Sequence, residues 1–175
     1  MIERSDTSPC VVVRRVLCEH LEALSVFTAE LSDETYNDVS AGGSSIGAHV
    51  RHSLDHFRAF LDGIGAGVID YEDRHRGGAE ETSAAAASAL LRDLAQRAEA
   101  LHDAELSRPV EVRNIIDAEL PAVSLHSDGL REAWFVVSHS IHHNSLIARI
   151  AADVDVTVPQ GFGYAPSTLA YLARR

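Results

Sequence analysis

Four stretches of this sequence carry apolar residues at intervals of three and four, with long polar links between them. That spacing commits the chain to helices packed through their apolar faces, because a helix gathers such positions onto one side. The first stretch opens at Ser8-Pro9, a capping serine followed by proline at the first helical position. It runs to about Leu31, with Val13, Leu17, Leu21, Leu24 and Phe27 at helical spacing. Ser44 or Ser45 caps the second, IGAHVRHSLDHFRAFLDGI, which Gly63, Gly65 and Gly67 terminate. The third runs from about Thr82 to Leu106, with an alanine-rich start and a stripe of Leu90, Leu91, Leu94, Ala98 and Leu101. Ser127 or Asp128 caps the fourth, GLREAWFVVSHSIHHNSLIARIAA, which ends near Asp153.

The links exceed the short turns that an up-and-down bundle requires. The expected fold is therefore all-α: a four-helix bundle with long crossover connections, forming a single domain over residues 1–175. Between the third and fourth helices, VEVRNIIDAELPAVSLHSD alternates β-branched runs with polar breaks and predicts a small β-hairpin. The tail, from about 154 to 175, is broken by proline and glycine. It is expected to pack on the bundle and to end in a short helix.

Charge and composition narrow the function. A formal net charge of −11 argues against nucleic acid, whose phosphates need a basic surface. No apolar run approaches the roughly 20 residues of a membrane span. The opening MIERSDTSPC lacks the charged-then-apolar order of a signal peptide. A cytoplasmic protein is expected, with Cys10 and Cys18 as free thiols too far apart along one helix to bridge.

The chemistry lies in histidines. In VVSHSIHHNSLI, His139 and His143 are four residues apart and share a helical face with Phe135, Val136, Leu146, Ile147 and Ile150. They are expected in the middle of that stripe, whereas His142 falls to its side, half exposed. A buried imidazole left without a partner costs about 1–3 kcal/mol, so two in one stripe call for hydrogen bonds or for an ion. The spacing HxxxH lets two rings share a divalent metal. In the second helix His49, His52 and His56 line one side, and small residues around His52 allow close approach by another helix. A third imidazole from this group would complete a three-histidine site with open positions, and at least one of His49 and His56 is expected to be merely solvated or hydrogen-bonded.

These residues resemble the DinB/YfiT-like metalloenzymes. SIGAHVRHSLD is similar to the family motif around the first ligand, with His52 in the ligand place and Asp55 as the following acid. HxxHH, from His139 to His143, is similar to the second motif. The resemblance implies a four-helix bundle holding a metal on His52, His139 and His143, and with the apolar helix faces it points to a homodimer. GFGYAPSTLAYL and YEDRHR resemble an uncharacterised branch. Many members follow HxxHH with Arg-Gly-Gln, where this chain has Asn144-Ser145-Leu146, so no role of that arginine carries over. The family's activities imply metal-dependent transfer of a low-molecular-weight thiol to a small electrophilic substrate, or related isomerisation and hydrolysis.

Three neutral imidazoles leave a divalent ion its full charge, enough to lower the pKa of bound water to about 7 or to deprotonate a thiol. Zinc, nickel and iron all accept such ligands. Asp55, one turn after His52, and Glu132, two turns before His139, are candidate acceptors for the outer ring nitrogens. Tyr71, Arg74 and Arg76 are candidates for clamping an anionic substrate. The competing expectation is a metal-binding or small-ligand-binding bundle without turnover. A di-iron bundle would need carboxylates at helical spacing from the paired histidines, and none of His52, His56, His139 and His143 has a glutamate in an HxxxE or ExxH arrangement.

Overall fold

The computed structural model describes residues 7–40 and 43–175. Residues 1–6 of the N-terminal segment and 41–42 of the first polar link lie outside them. Four long helices dominate: α1 (Pro9–Ala29), α3 (Ile46–Gly63), α4 (Ala84–Glu99) and α6 (Gly129–Asp153). Each has a side-chain cap on an otherwise orphaned backbone N–H. Ser8 accepts from Val11, Ser45 from Ala48, Ser83 from Ala86 and Asp128 from Arg131. The caps of α3 and α6 are thus Ser45 and Asp128.

Helix α1 packs on α4 and α6, and α3 packs on α6 and α4, so each long helix has two long neighbours. Leu17, Leu21 and Leu24 of α1 and Leu91, Leu94 and Ala98 of α4 are fully buried, as are Val50, Leu54, Phe57 and Phe60 of α3. Among the described residues, no helix is long and apolar enough to cross a membrane. Cys10 and Cys18 are free thiols.

The third helix is shorter than its apolar pattern. It stops at Glu99, and a separate turn, α5 (Asp103–Leu106), follows. Arg14 of α1 fixes the break, donating to the Leu101 carbonyl at 3.0 Å and to Asp103 Oδ1 at 2.7 Å. Glu105 Oε2 accepts the His102 N–H and caps the new turn. The first link likewise contains a short helix, α2 (Asp33–Asn37). It buries Tyr36 completely, the hydroxyl donating to the Glu80 carbonyl at 2.9 Å. Gly47 admits this ring, since a Cβ there would lie 2.5 Å from Tyr36 Cε1.

The hairpin between the third and fourth long helices is present: β2 (Pro109–Asn114) pairs antiparallel with β3 (Val123–Asp128), Val112 opposite Leu125. A third strand, β1 (Val68–Asp70), adds parallel to β2 with Ile69 opposite Val112. At three residues it is too short to show a period, and its burial comes from the helix beneath it. The sheet is therefore a structural layer whose last strand runs directly into α6. In the tail, Phe162 packs on Phe27 with ring centroids 5.1 Å apart. Gly163 abuts the α6 backbone, where a Cβ would come 2.6 Å from Ser145 N. The terminal helix α7 (Pro166–Leu172) is exposed along its length.

Candidate metal centre

The seam between α3 and α6 brings five imidazoles together. His49, His52 and His56 come from α3 at intervals of three and four, and His139 and His143 from α6 at an interval of four. Each set therefore faces one way. All five are half-buried, and His142 is exposed. The buried stripe of α6 includes Ala133, Val136, Val137, Ser140, Ile141, Asn144, Ile147 and Ala151. His139 and His143 thus sit at the margin of the apolar stripe rather than in its middle. Small and polar residues, Ser140 and Asn144, occupy the centre because α1 and α3 both close on that side.

Two contacts organise the cluster. His52 Nε2 lies 2.9 Å from His139 Nε2, and His49 Nδ1 lies 2.9 Å from His143 Nδ1. Without an ion, each pair needs one ring to donate and the other to accept. His56 is oriented differently: its Nδ1–H donates to the His52 carbonyl at 3.0 Å. A carbonyl only accepts, so the neutral His56 ring keeps its lone pair on Nε2. Metal-ligating imidazoles commonly have this form, one nitrogen held by backbone and the other free for the ion. One ring nitrogen from each of His52, His56 and His139 can be chosen so that all lie within 4.8 Å of one another. The His143 ring adjoins the same group, its centroid 4.5 Å from His52 and 4.7 Å from His139.

The environment keeps these rings neutral. Burial, followed by the neighbouring imidazoles, pulls His52 and His139 down to about 4 and His143 to about 3. Burial also lowers His49 and His56, with His142 opposing protonation of the former. Neutral rings with free lone pairs are the donor set that a divalent ion requires, so the residues fit such a group.

An aromatic wall flanks the cluster. The Tyr71 ring stacks on His56 at 5.4 Å and meets Phe135 edge-on at 5.2 Å, and Phe135 stacks on His139 at 5.7 Å. Beyond the wall, an open cavity of about 400 Å³ is lined by Tyr71, Phe135, Glu132, Ser127, Arg131 and Val112, among others.

The outer candidates are placed differently from their sequence reading. Glu132 is buried but does not reach His139; its Oε2 accepts from Tyr71 at 2.9 Å and its Oε1 from Ser127 at 2.6 Å. Asp55 is half-buried, which raises its carboxyl pKa, and the charges of Arg58, Arg51 and Arg76 oppose that rise. Tyr71 is buried against Glu132 and cannot clamp a substrate together with the loop arginines. Arg74 and Arg76 are exposed; Arg74 pairs with Glu72 at 3.8 Å, and its charge disfavours protonation of His52 and His56. Helical spacing made His56 legible as a neighbour of His52. Nothing in the sequence marked the pairing of Tyr71 with Glu132, which lie 61 residues apart.

These features describe a helical protein with an imidazole cluster between two of its long helices and a small sheet beside it. The sequence model of the DinB superfamily matches residues 17–147, a span that includes all five clustered histidines. The chain belongs to the DinB superfamily. It is also 28% identical over 109 residues to FK506-binding protein 5 of Rhizopus delemar, a match covering 62% of this chain and 28% of that protein. The chain thus matches little more than a quarter of that relative's length. No solved structure matches it.

Proposed function

We propose that this chain is a metal-dependent enzyme that activates a low-molecular-weight thiol, or water, toward a small electrophilic substrate at the α3–α6 seam. The observation that carries this reading is the His52–His139 pair, two neutral imidazoles whose Nε2 atoms lie 2.9 Å apart. When bound there, a divalent zinc, nickel or iron ion supplies thiolate or hydroxide at neutral pH. His52 and His139 form the shared core of the donor set. A ring nitrogen of His56, within 4.8 Å of one from each of His52 and His139, supports it as the third ligand of this reading, and His143, which the family motif nominates, adjoins both rings and joins the set by leaving His49. Tyr71 and Phe135 exclude water from one flank, which strengthens the electrostatic interactions inside the site. The surrounding frame is a four-helix bundle with crossover links, acting as a cytoplasmic homodimer.

Metal analysis of protein purified without an affinity tag tests the centre; one bound divalent ion per chain is expected. A chain that takes up none after metal addition defeats the proposal. Given a metal, common cellular thiols are screened against an electrophilic acceptor. Metal-dependent thiol consumption supports transfer, and its absence with every thiol leaves a binding bundle without turnover.

A further inference from the structure

We propose that Tyr71, anchored by Glu132 and Ser127, is a positioning residue that holds His56 as a metal ligand. The inference rests on the metal centre proposed above and assigns its third imidazole and the support of that imidazole. Two restraints act on the His56 ring. The His52 carbonyl takes its Nδ1–H, which fixes the tautomer and leaves the lone pair on Nε2. The Tyr71 ring lies against its face at 5.4 Å with an interplanar angle of 24°, which fixes the tilt.

Tyr71 is in turn restrained beyond ordinary packing. Its hydroxyl donates to Glu132 Oε2 at 2.9 Å, while Ser127 donates to Oε1 at 2.6 Å. Glu132 is 5% exposed, and the Arg131 guanidinium lies 3.7 Å from Oε1. A carboxylate taken out of water is costly unless its lone pairs are filled. Here both oxygens have hydroxyl donors, so moving Tyr71 leaves one oxygen unpaired. The chain of contacts thus runs from the end of β3, through the first turn of α6, to the residue following β1, and from there onto α3. It gives the small sheet a part in the metal centre. Glu132 therefore supports the centre through a phenol and His56 rather than through the outer nitrogen of His139.

Zinc affinity, measured by competition with a chelating dye on the full chain, tests this in a double-mutant cycle. His56→Ala is expected to weaken binding at least tenfold, and Tyr71→Ala about tenfold, the range for partners that orient a metal ligand. In the His56→Ala background, Tyr71→Ala should have no further effect on affinity. Tyr71→Phe keeps the ring but drops the anchor; about threefold weaker binding is expected, with the cobalt-substituted absorption spectrum shifted and the melting temperature lowered by several degrees because Glu132 Oε2 loses its donor. Wild-type affinity in His56→Ala overturns the inference while leaving the metal centre standing on His143. Equal losses from Tyr71→Ala in both backgrounds overturn it as well, because they make Tyr71 a structural residue only. Tyr71→Phe with wild-type affinity and an unshifted cobalt spectrum removes the Glu132 anchor from the scheme. If the wild-type chain binds no zinc, this inference fails together with the metal centre.

Discussion

The α1–α4 seam and the α3–α6 seam belong to the same set of packed helices, yet they are built on opposite terms. Between α1 and α4, leucines and alanines fill the space and the Ser25–Ser88 insertion is matched, although the Thr28 hydroxyl of α1 is buried without a partner among the described residues. Ser25 Oγ donates to the Ser88 carbonyl at 3.0 Å, and Ser88 Oγ returns a bond to the Ser25 carbonyl at 3.0 Å. On α3 and α6, five imidazoles are held half-buried and neutral, and the hydroxyls of Ser53 and Ser140 and the carbonyl oxygen of Asn144 are buried without a partner among the described residues. The first seam stabilises the fold. The second holds polar groups at a cost in stability, a pattern expected where a site, rather than the core, sets the side chains.

The sharpest test of this contrast is His139→Ala. It should reduce metal affinity by about a hundredfold or more, since it removes one of the two proposed core ligands, while the chelated protein keeps its wild-type melting temperature within a few degrees; inductively coupled plasma analysis and calorimetry read the two effects. The mirror experiment is Leu91→Ala at the dry seam. It should destabilise by about 2–5 kcal/mol, read by urea denaturation, without changing the metal bound per folded chain. If Leu91→Ala stripped metal from folded protein, or His139→Ala unfolded the chelated chain, the division between the seams would collapse.

The third test uses acid. In the folded chain His52 and His139 titrate near 4, against about 6.5 for an unperturbed imidazole. As pH falls from about 6.5 toward 4, the unfolded chain takes up protons that the folded chain refuses, so stability falls over that window. Chelated protein should lose about 5 °C or more in melting temperature between pH 7 and pH 5. A variant carrying His52→Gln and His139→Gln should lose less, and equal losses would place the acid sensitivity elsewhere. The smallest effect belongs to His142→Ala. The ring is exposed, 5.3 Å from His143, and its removal should leave metal binding within about twofold.

The long helices were legible because their apolar periods are long and because the caps of the first, second and fourth sit at expected places. The hairpin was legible from its β-branched runs. The break after Glu99 was not, because the apolar stripe continues through Leu101 and the interruption comes from Arg14 of another helix. Tyr36 escaped notice because a single aromatic in a polar link has no period; Gly47 makes its burial feasible. In the site, the pairing of His139 with His143 followed from one helix alone. Placing both in mid-stripe failed, because which side of a helix is buried depends on how many neighbours close on it.

Helical spacing along the chain sets the angular relations within each helix, so that His49, His52 and His56 face one way and His139 and His143 face one way. How the two sets meet came from packing. It placed His52 Nε2 against His139 Nε2, turned His143 Nδ1 toward His49, left the His56 lone pair free, and sent Glu132 to Tyr71. The reason is geometric: helical rise and twist are backbone constants, whereas the rotation and register of one helix against another follow from packing contacts distributed over the whole chain.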